Sequence, residues 1–138
     1  MLRHPERLVN VHSELIRLLT DGGLGGLELI VIQGARTVAE EQAAMDSGHS
    51  ALHNPLDSKH VIDPVYRPLA LAVDVAPFDH PPTAEDWKNI PAFEAMGSNL
   101  KALADSLGIP ILWGGDWHSL KDFDHIELAA AHAESAAA

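Results

Sequence analysis

Apolar and polar positions along the first third of the chain follow two periods, and each change of period marks a predicted element. Between Pro5 and Asp21, apolar residues recur at helical spacing, and the glycines after Asp21 are expected to end that helix. Leu27 to Ile32 is a short apolar run rich in β-branched residues, as is typical of a buried strand. Thr37 and Glu40 form a capping-box pair, which predicts a helix through about Met45.

The second half of the chain predicts three more strands and one long helix. The apolar run Leu69 to Ala76 indicates a strand, and so do Ile109 to Leu112 and the alternating segment His125 to Leu128. Between them, Pro91 opens a helix that ends at Gly108. Its apolar residues share one face and are expected to belong to the core: Phe93, Met96, Leu100, Leu103, Ala104 and Leu107.

Composition limits both the number of domains and the kind of metal site. The chain has 138 residues, which suffice for one domain with its own core and not for two. Cysteine is absent, so disulfides, thiolate metal sites and cysteine nucleophiles are excluded, whereas nine histidines are present. We therefore expect a single domain over residues 1–138, with an alanine-rich tail from about residue 129, in which any metal is held by His, Asp or Glu.

Charge and hydropathy limit the partners. The formal net charge is −11, and binding to nucleic acid phosphates requires clustered Lys and Arg, so we expect no nucleic acid partner. The chain has no basic amphipathic tail and no apolar stretch approaching the ~20 residues of a membrane span, so we expect no membrane insertion. Residues Met1 to Arg7 lack the apolar region of a signal peptide. We expect a monomer that is made and folded in a cytoplasm.

Charged residues at the ends or in the middle of apolar segments are candidate site residues. Asp74 interrupts the apolar run Ala70 to Val75, and burying a carboxylate is costly unless it is paired or bound to a metal. Asp122 precedes His125 by three positions at the mouth of a strand, which suits an acid beside a metal ligand. Arg36 lies at a strand-to-helix corner, where it can hold a substrate carboxylate or an oxyanion. The alternative for Asp74 is a structural salt bridge. The alternative for Asp122 and His125 is a loop acid beside a structural histidine, and the alternative for Arg36 is a surface arginine.

His60, Asp74 and His125 form a possible set of three metal ligands, with Asp122 beside the last of them. Two neutral imidazoles and one carboxylate leave one position of a zinc ion open for water. Two further histidines lie in the polar loop that precedes this set and are not expected to be ligands: His49 and His53.

Several short motifs occur together in this chain. They are Ser58-x-His60, Ala72-Val73-Asp74, Trp113-Gly114-Gly115-Asp116-Trp117 and Asp122-x-x-His125-x-Glu127-Leu128. In combination they resemble the zinc peptidoglycan peptidases of the D-alanyl-D-alanine carboxypeptidase group, and most of all the bacteriophage endolysins that act as L-alanyl-D-glutamate peptidases. Gly34-Ala35-Arg36 followed by Glu41-Gln42 is similar to the Gly-x-Arg…Glu-Gln segment of that family. The resemblance covers residues 28 to 128.

The resemblance implies a fold and a set of site residues. The implied fold is α+β, with a small antiparallel sheet flanked by helices as in hedgehog and D,D-peptidase domains, and the predicted strands agree with it. The implied site has zinc as its cofactor, with His60, Asp74 and His125 as the ligands. Asp122 would be the catalytic acid and base. The implied substrate contacts are Arg36, Ser58 and Trp117, and Arg36 would also have a catalytic role.

The spacing of the first two ligands departs from the family pattern. The family has His-x6-Asp, whereas His60 and Asp74 are fourteen positions apart because Val61 to Pro68 is inserted. Asp63, within the insertion, is the alternative ligand. We prefer Asp74 because its Ala-x-Asp strand context matches the family and Asp63 lies in a proline-containing loop.

The activity implied by the resemblance is zinc-dependent hydrolysis of the L-alanyl-D-glutamate bond in the peptidoglycan stem peptide. Asp122 would act as general acid and base, and Glu127 or Asp124 would orient a ligand histidine. A D-alanyl-D-alanine carboxypeptidase and a non-catalytic zinc-binding module on the same fold are the alternatives. We expect such an endolysin to stay in the cytoplasm of the infected bacterium and to reach the cell wall after the inner membrane is opened.

Overall fold

The computed structural model of the chain describes residues 1–20, 27–48, 52 and 54–129. The strands are β1 Leu2–Arg3, β2 Leu29–Gln33, β3 Ala72–Ala76, β4 Ile111–Trp113 and β5 His125–Leu128. The α-helices are α1 Ser13–Thr20, α2 Val38–Asp46, α3 Ala84–Trp87 and α4 Ile90–Leu107. None of these helices is both long enough and apolar enough to cross a membrane.

The five strands form one sheet in the order β1-β2-β3-β5-β4. All neighbouring pairs are antiparallel except β1 and β2, which run in the same direction. The predicted α+β class is confirmed, and the sheet is mixed rather than wholly antiparallel. The difference comes from β1, which has only two residues and is too short to show a strand period in the sequence.

The core lies between the sheet and helices α1 and α4. Leu15 and Leu18 of α1 and Phe93 and Met96 of α4 are fully buried in one apolar cluster with residues of the central strands. In β5, Ile126 and Leu128 belong to this cluster, as the alternating pattern predicts. His125 and Glu127, which alternate with them in β5, therefore face the opposite side of the sheet.

The helix predicted from Pro5 to Asp21 is interrupted. A 3-10 helix over Pro5–Leu8 is followed by Asn10, which has a left-handed φ of 63°, and α1 begins only at Ser13. The carbonyl of Asn10 accepts a hydrogen bond from the backbone N–H of Ala70 at 2.8 Å. Pairing with a distant extended segment thus overrides the helical period, and the glycines expected to end this helix lie outside the described residues.

The predicted helix ends are confirmed at α2 and α4. Thr37 and Glu40 form the capping box at the start of α2, and Gly108 ends α4 with a φ of 72°. Helix α2 differs from α4 in what it buries, because its one buried residue is the carboxylate side chain of Glu41. This helix therefore packs by means of a charged contact, and that contact lies at the candidate site.

Candidate active site

A cleft of about 350 Å³ lies on the face of the sheet opposite the core. Asp74 and His125 project into it from β3 and β5, whose neighbouring residues point into the core. The cleft brings together all the residues that the sequence analysis proposed for the site: Arg36, Ser58, His60, Asp74, Trp117, Asp122 and His125.

Strand register places Asp74 next to His125. The two residues are direct partners in the antiparallel pair of β3 and β5, so their side chains leave the same face of the sheet. The Oδ1 atom of Asp74 lies 3.3 Å from Nδ1 of His125. The other ring nitrogen, Nε2, donates to Oε1 of Glu127 at 2.9 Å. Glu127, two positions along β5, is therefore the residue that orients His125.

His60 reaches the same point from a turn rather than from a strand. Its Nδ1 donates to the carbonyl oxygen of Gly34 at 3.0 Å, and its Nε2 lies 3.2 Å from Oδ1 of Asp74. Gly34 fits here because a Cβ at this position would collide with the carbonyl oxygen of Arg7. The hydroxyl of Ser58 accepts a hydrogen bond from the backbone N–H of His60 at 3.3 Å, so Ser58 supports the turn.

The three side chains fit a metal ion. Nε2 of His60, Oδ1 of Asp74 and Nδ1 of His125 are the facing atoms, and ligand atoms of these residues all lie within 4.8 Å of one another. Each imidazole donates from its other nitrogen to an oxygen that can only accept, and this fixes the tautomer with a lone pair directed at the centre of the cluster. Two imidazole nitrogens and one carboxylate oxygen are a donor set suited to zinc with an open position.

The electrostatics of the cluster favour a cation. Burial opposes ionisation of Asp74, but hydrogen bonds with His125 and His60 lower its pKa below the usual range. Burial likewise disfavours the charged form of His125, but hydrogen bonds with Asp74 and Glu127 raise its pKa to about 9. Both shifts favour positive charge at the centre of the cluster, which a divalent ion would supply.

Asp122 and Asp124 lie at the edge of this cluster. Asp122 is partly exposed, with Oδ2 3.9 Å from Nδ1 of His125. Its backbone N–H donates to the carbonyl of Gly114 at 3.1 Å, and a Cβ on Gly114 would collide with the Asp122 carbonyl. Burial, followed by a hydrogen bond with Asp122, raises the pKa of Asp124 to about 10. The neutral form of Asp124 is therefore favoured, and it shares a hydrogen bond with Asp122.

The tryptophan turn forms one end of the cleft. Gly114–Asp116 is a short 3-10 helix, and the indole N–H of buried Trp113 donates to the carbonyl of Phe123 at 2.8 Å. The ring centre of Trp117 lies 5.1 Å from that of His125. Trp117 thus offers an aromatic surface directly beside a candidate ligand.

Arg36 lines the cleft as part of a buried ion pair that the sequence analysis did not predict. Its Nη1 lies 2.5 Å from Oε2 of Glu41, whose side chain is 1% exposed. The backbone N–H of Arg36 donates to the carbonyl of His60 at 2.8 Å, so the arginine lies beside the turn that carries His60. In the sequence, Glu41 was noted only as part of a family motif. The signal that could have indicated its burial is that the predicted helix has no clear apolar face.

The other candidate ligands are not part of the cluster as described. Oδ1 of Asp63 accepts hydrogen bonds from the backbone N–H groups of Val65 and Tyr66, both at 2.9 Å, and so caps the hairpin formed by the insertion. His49 and His53 lie outside the described residues. Asp74, Asp122 and Asp124 form a second group that could hold an ion, but it shares Asp74 with the first.

Comparisons with known proteins agree on one group. The family model described as "Phage L-alanyl-D-glutamate peptidase" matches residues 2–135. The L-alanyl-D-glutamate peptidase of Escherichia phage T5 is 30% identical over 105 residues, which are 76% of this chain and 69% of the phage protein. The crystal structure of the Serratia marcescens L-Ala D-Glu endopeptidase ChiX has 25% identity and a TM-score of 0.72, covering 96% of this chain and 92% of that one.

Proposed function

The chain belongs to the phage L-alanyl-D-glutamate peptidase family and is a peptidoglycan-cleaving endopeptidase. We propose that it acts with one zinc ion held by His60, Asp74 and His125. The observation that carries this proposal is the cluster of facing donor atoms, with each imidazole fixed by its second nitrogen. The proposed substrate is the stem peptide, cut between L-alanine and D-glutamate after the inner membrane of the host is opened.

The metal ligands are oriented by this chain's own groups. The Gly34 carbonyl fixes His60, and the Glu127 carboxylate fixes His125. Zinc, when bound, supplies a water of lowered pKa, near ~7, and polarises the scissile carbonyl.

Asp122 is the proposed general acid and base. It borders the ligand cluster without belonging to the set of facing atoms, and it is exposed enough to exchange protons with solvent. Its carboxylate accepts the proton of the attacking water and then gives it to the leaving amine of D-glutamate. A hydrogen bond between Asp124 and Asp122 holds the Asp122 carboxylate in place for both transfers.

Arg36 is the proposed donor to the oxygen of the scissile carbonyl. Its pairing with Glu41 fixes the guanidinium and uses one of its nitrogens, and the remaining N–H groups stay available to an oxygen in the cleft. Such fixed donors stabilise the negative charge that develops on the oxygen during attack. Trp117 packs against the substrate peptide, and Ser58 supports His60.

Digestion of purified peptidoglycan tests the bond that is cut. We expect new N-terminal D-glutamate, with alanine left on the muramyl side, when the products are identified by mass spectrometry. Release of free D-alanine alone would replace the endopeptidase with the carboxypeptidase alternative.

Metal analysis tests the cofactor independently of the bond. Purified protein should contain one zinc per chain, and a chelator should remove the activity, which added zinc restores. Full activity in protein without stoichiometric metal would reject the zinc proposal and leave the choice of bond untouched.

A further inference from the structure

The chemistry of the proposed substrate requires a partner for a negative charge. D-Glutamate has two carboxyl groups, and the stem peptide continues through only one of them. The other remains as a free carboxylate close to the bond that is cut. A cleft that selects D-glutamate therefore needs a cation near the ligand cluster, on the leaving-group side of that bond.

Only one cation of the cleft lacks a carboxylate partner among the residues that the structure describes. Besides the two histidines, the basic residues lining the cleft are Arg36 and Lys59. Arg36 is already paired with Glu41, and a substrate carboxylate placed there would set two carboxylates on one guanidinium. The Lys59 ammonium forms no ion pair with any residue of the described ranges.

The backbone that carries Lys59 is held on both sides. Its carbonyl accepts from the N–H of Leu71 at 2.8 Å, and the neighbouring carbonyl of Ser58 accepts from Nη1 of Arg67 at 2.6 Å. Arg67 belongs to the hairpin closed by the Asp63–Arg67 pair, so this hairpin holds the segment next to His60. Ser58, Lys59 and His60 all border the cleft, as a turn permits and a strand would not.

We propose that Lys59 binds the free carboxylate of the D-glutamyl residue and so determines specificity for it. The proposal rests on the proposed function, because it assigns a role within the same cleft. Lys59 adjoins the ligand His60 in this fixed turn and lines the same cleft, while Arg36, paired with Glu41, interacts with the oxygen of the scissile carbonyl.

Two matched peptides test this assignment. One is an acylated L-alanyl-D-glutamyl-L-lysine amide with the free carboxylate, and the other carries a carboxamide in place of that carboxylate. We expect the wild-type kcat/KM to favour the carboxylate peptide by about tenfold to a hundredfold, the scale of a charged hydrogen bond. In Lys59→Gln, KM for the carboxylate peptide should rise until the preference is lost, with kcat and the carboxamide peptide little changed.

Three controls make the outcomes distinct. Lys121→Gln removes an exposed cation of the neighbouring loop and should keep the preference, whereas Lys59→Arg retains the charge and should keep most of it. Zinc content and thermal melting of Lys59→Gln should match the wild type. A preference that persists in Lys59→Gln, or equal cleavage of both peptides by the wild type, would overturn the proposal. Failure to cut either peptide after L-alanine would instead reject the proposed function.

Discussion

Two walls of the cleft hold the same kind of side chain in different ways. The strand wall, His125 and Glu127 of β5, is set by the sheet: register places His125 opposite Asp74, and Glu127 lies two positions further on. The loop wall, Ser58 to His60, is set by groups outside any strand, since the Gly34 carbonyl fixes the imidazole and Arg67 holds the Ser58 carbonyl. The ring centres of His60 and His125 are nevertheless only 5.2 Å apart.

The two walls position their side chains by different kinds of contact. On the strand wall the site depends on a repeating backbone pattern, and neighbours in the sequence supply the supporting contacts. On the loop wall the orientation of the His60 ring depends on a contact with Gly34, 26 positions earlier in the chain, so it depends on how distant segments pack. Asp74 contacts the histidines of both walls.

Asp74 contacts both walls, so its replacement should have the largest effect. We expect Asp74→Asn to lose stoichiometric zinc and to reduce peptidoglycan cleavage to background, because the amide removes the charge between the two imidazoles. Asp63→Asn is the matched control, since its amide oxygen can still cap the hairpin. Zinc content and digestion rate report the result, and zinc loss in Asp63→Asn with zinc retained in Asp74→Asn would reverse the ligand assignment.

Asp122 should separate catalysis from metal binding. Asp122→Asn is expected to keep zinc and the melting temperature while kcat falls by ~100-fold or more, the usual scale for loss of a general acid and base. The measurement is single-substrate kinetics alongside metal analysis. Wild-type turnover in this variant would remove Asp122 from the mechanism, and loss of zinc would make it a ligand.

The supports of the two walls should respond differently to replacement. Glu127→Gln keeps a hydrogen-bond acceptor for His125 but removes its charge, and zinc affinity should fall by about tenfold. Arg67→Met removes the hydrogen bonds to the Ser58 and Leu56 carbonyls, and it should lower the free energy of unfolding by about 1–3 kcal/mol. Competition with a zinc chelator and urea unfolding measure the two effects. An equal loss of zinc affinity in Glu127→Gln and Arg67→Met would contradict the difference between the two walls.

His80 lies outside both walls and shows what a surface contact does to a histidine. Hydrogen bonds with Asp79 and Asp86 raise its pKa above the ordinary value of 6.5. The associated stabilisation is present below pH 6.5 and is lost as pH rises through the raised pKa. It should be the smallest effect, because His80 is half exposed. In an NMR titration, Asp86→Asn should return the His80 pKa towards 6.5, and an unchanged midpoint would refute this.

What the sequence could predict follows the same division. The period of two in His125 to Leu128 and the lone charge of Asp74 located the strand wall, because strand geometry converts sequence neighbours into faces. The capping box at Thr37 and Glu40 located α2 for a similar local reason. The pairing of Arg36 with Glu41 could not be predicted in this way, since it depends on the packing of a helix against a turn.

The remaining misses also involve contacts between distant segments. The interruption at Asn10 depends on pairing with Ala70, and the close approach of Gly34 to Arg7 depends on how the first 3-10 helix packs against the end of β2. Neither leaves a periodic signal in the sequence. The family motifs supplied the site residues of the loop wall, because resemblance carries such long-range information where local patterns do not.

Helix α2 has a consequence for the way the domain opens. Its one buried side chain is the Glu41 carboxylate, so detaching α2 from the rest of the domain exposes little apolar surface, whereas detaching α4 would expose Phe93 and Met96. Its amide hydrogens should therefore exchange through a local, nearly denaturant-independent opening, while those of α4 exchange only on global unfolding. Opening of α2 is expected to separate Glu41 from Arg36 while β3 and β5, which carry Asp74 and His125, stay paired.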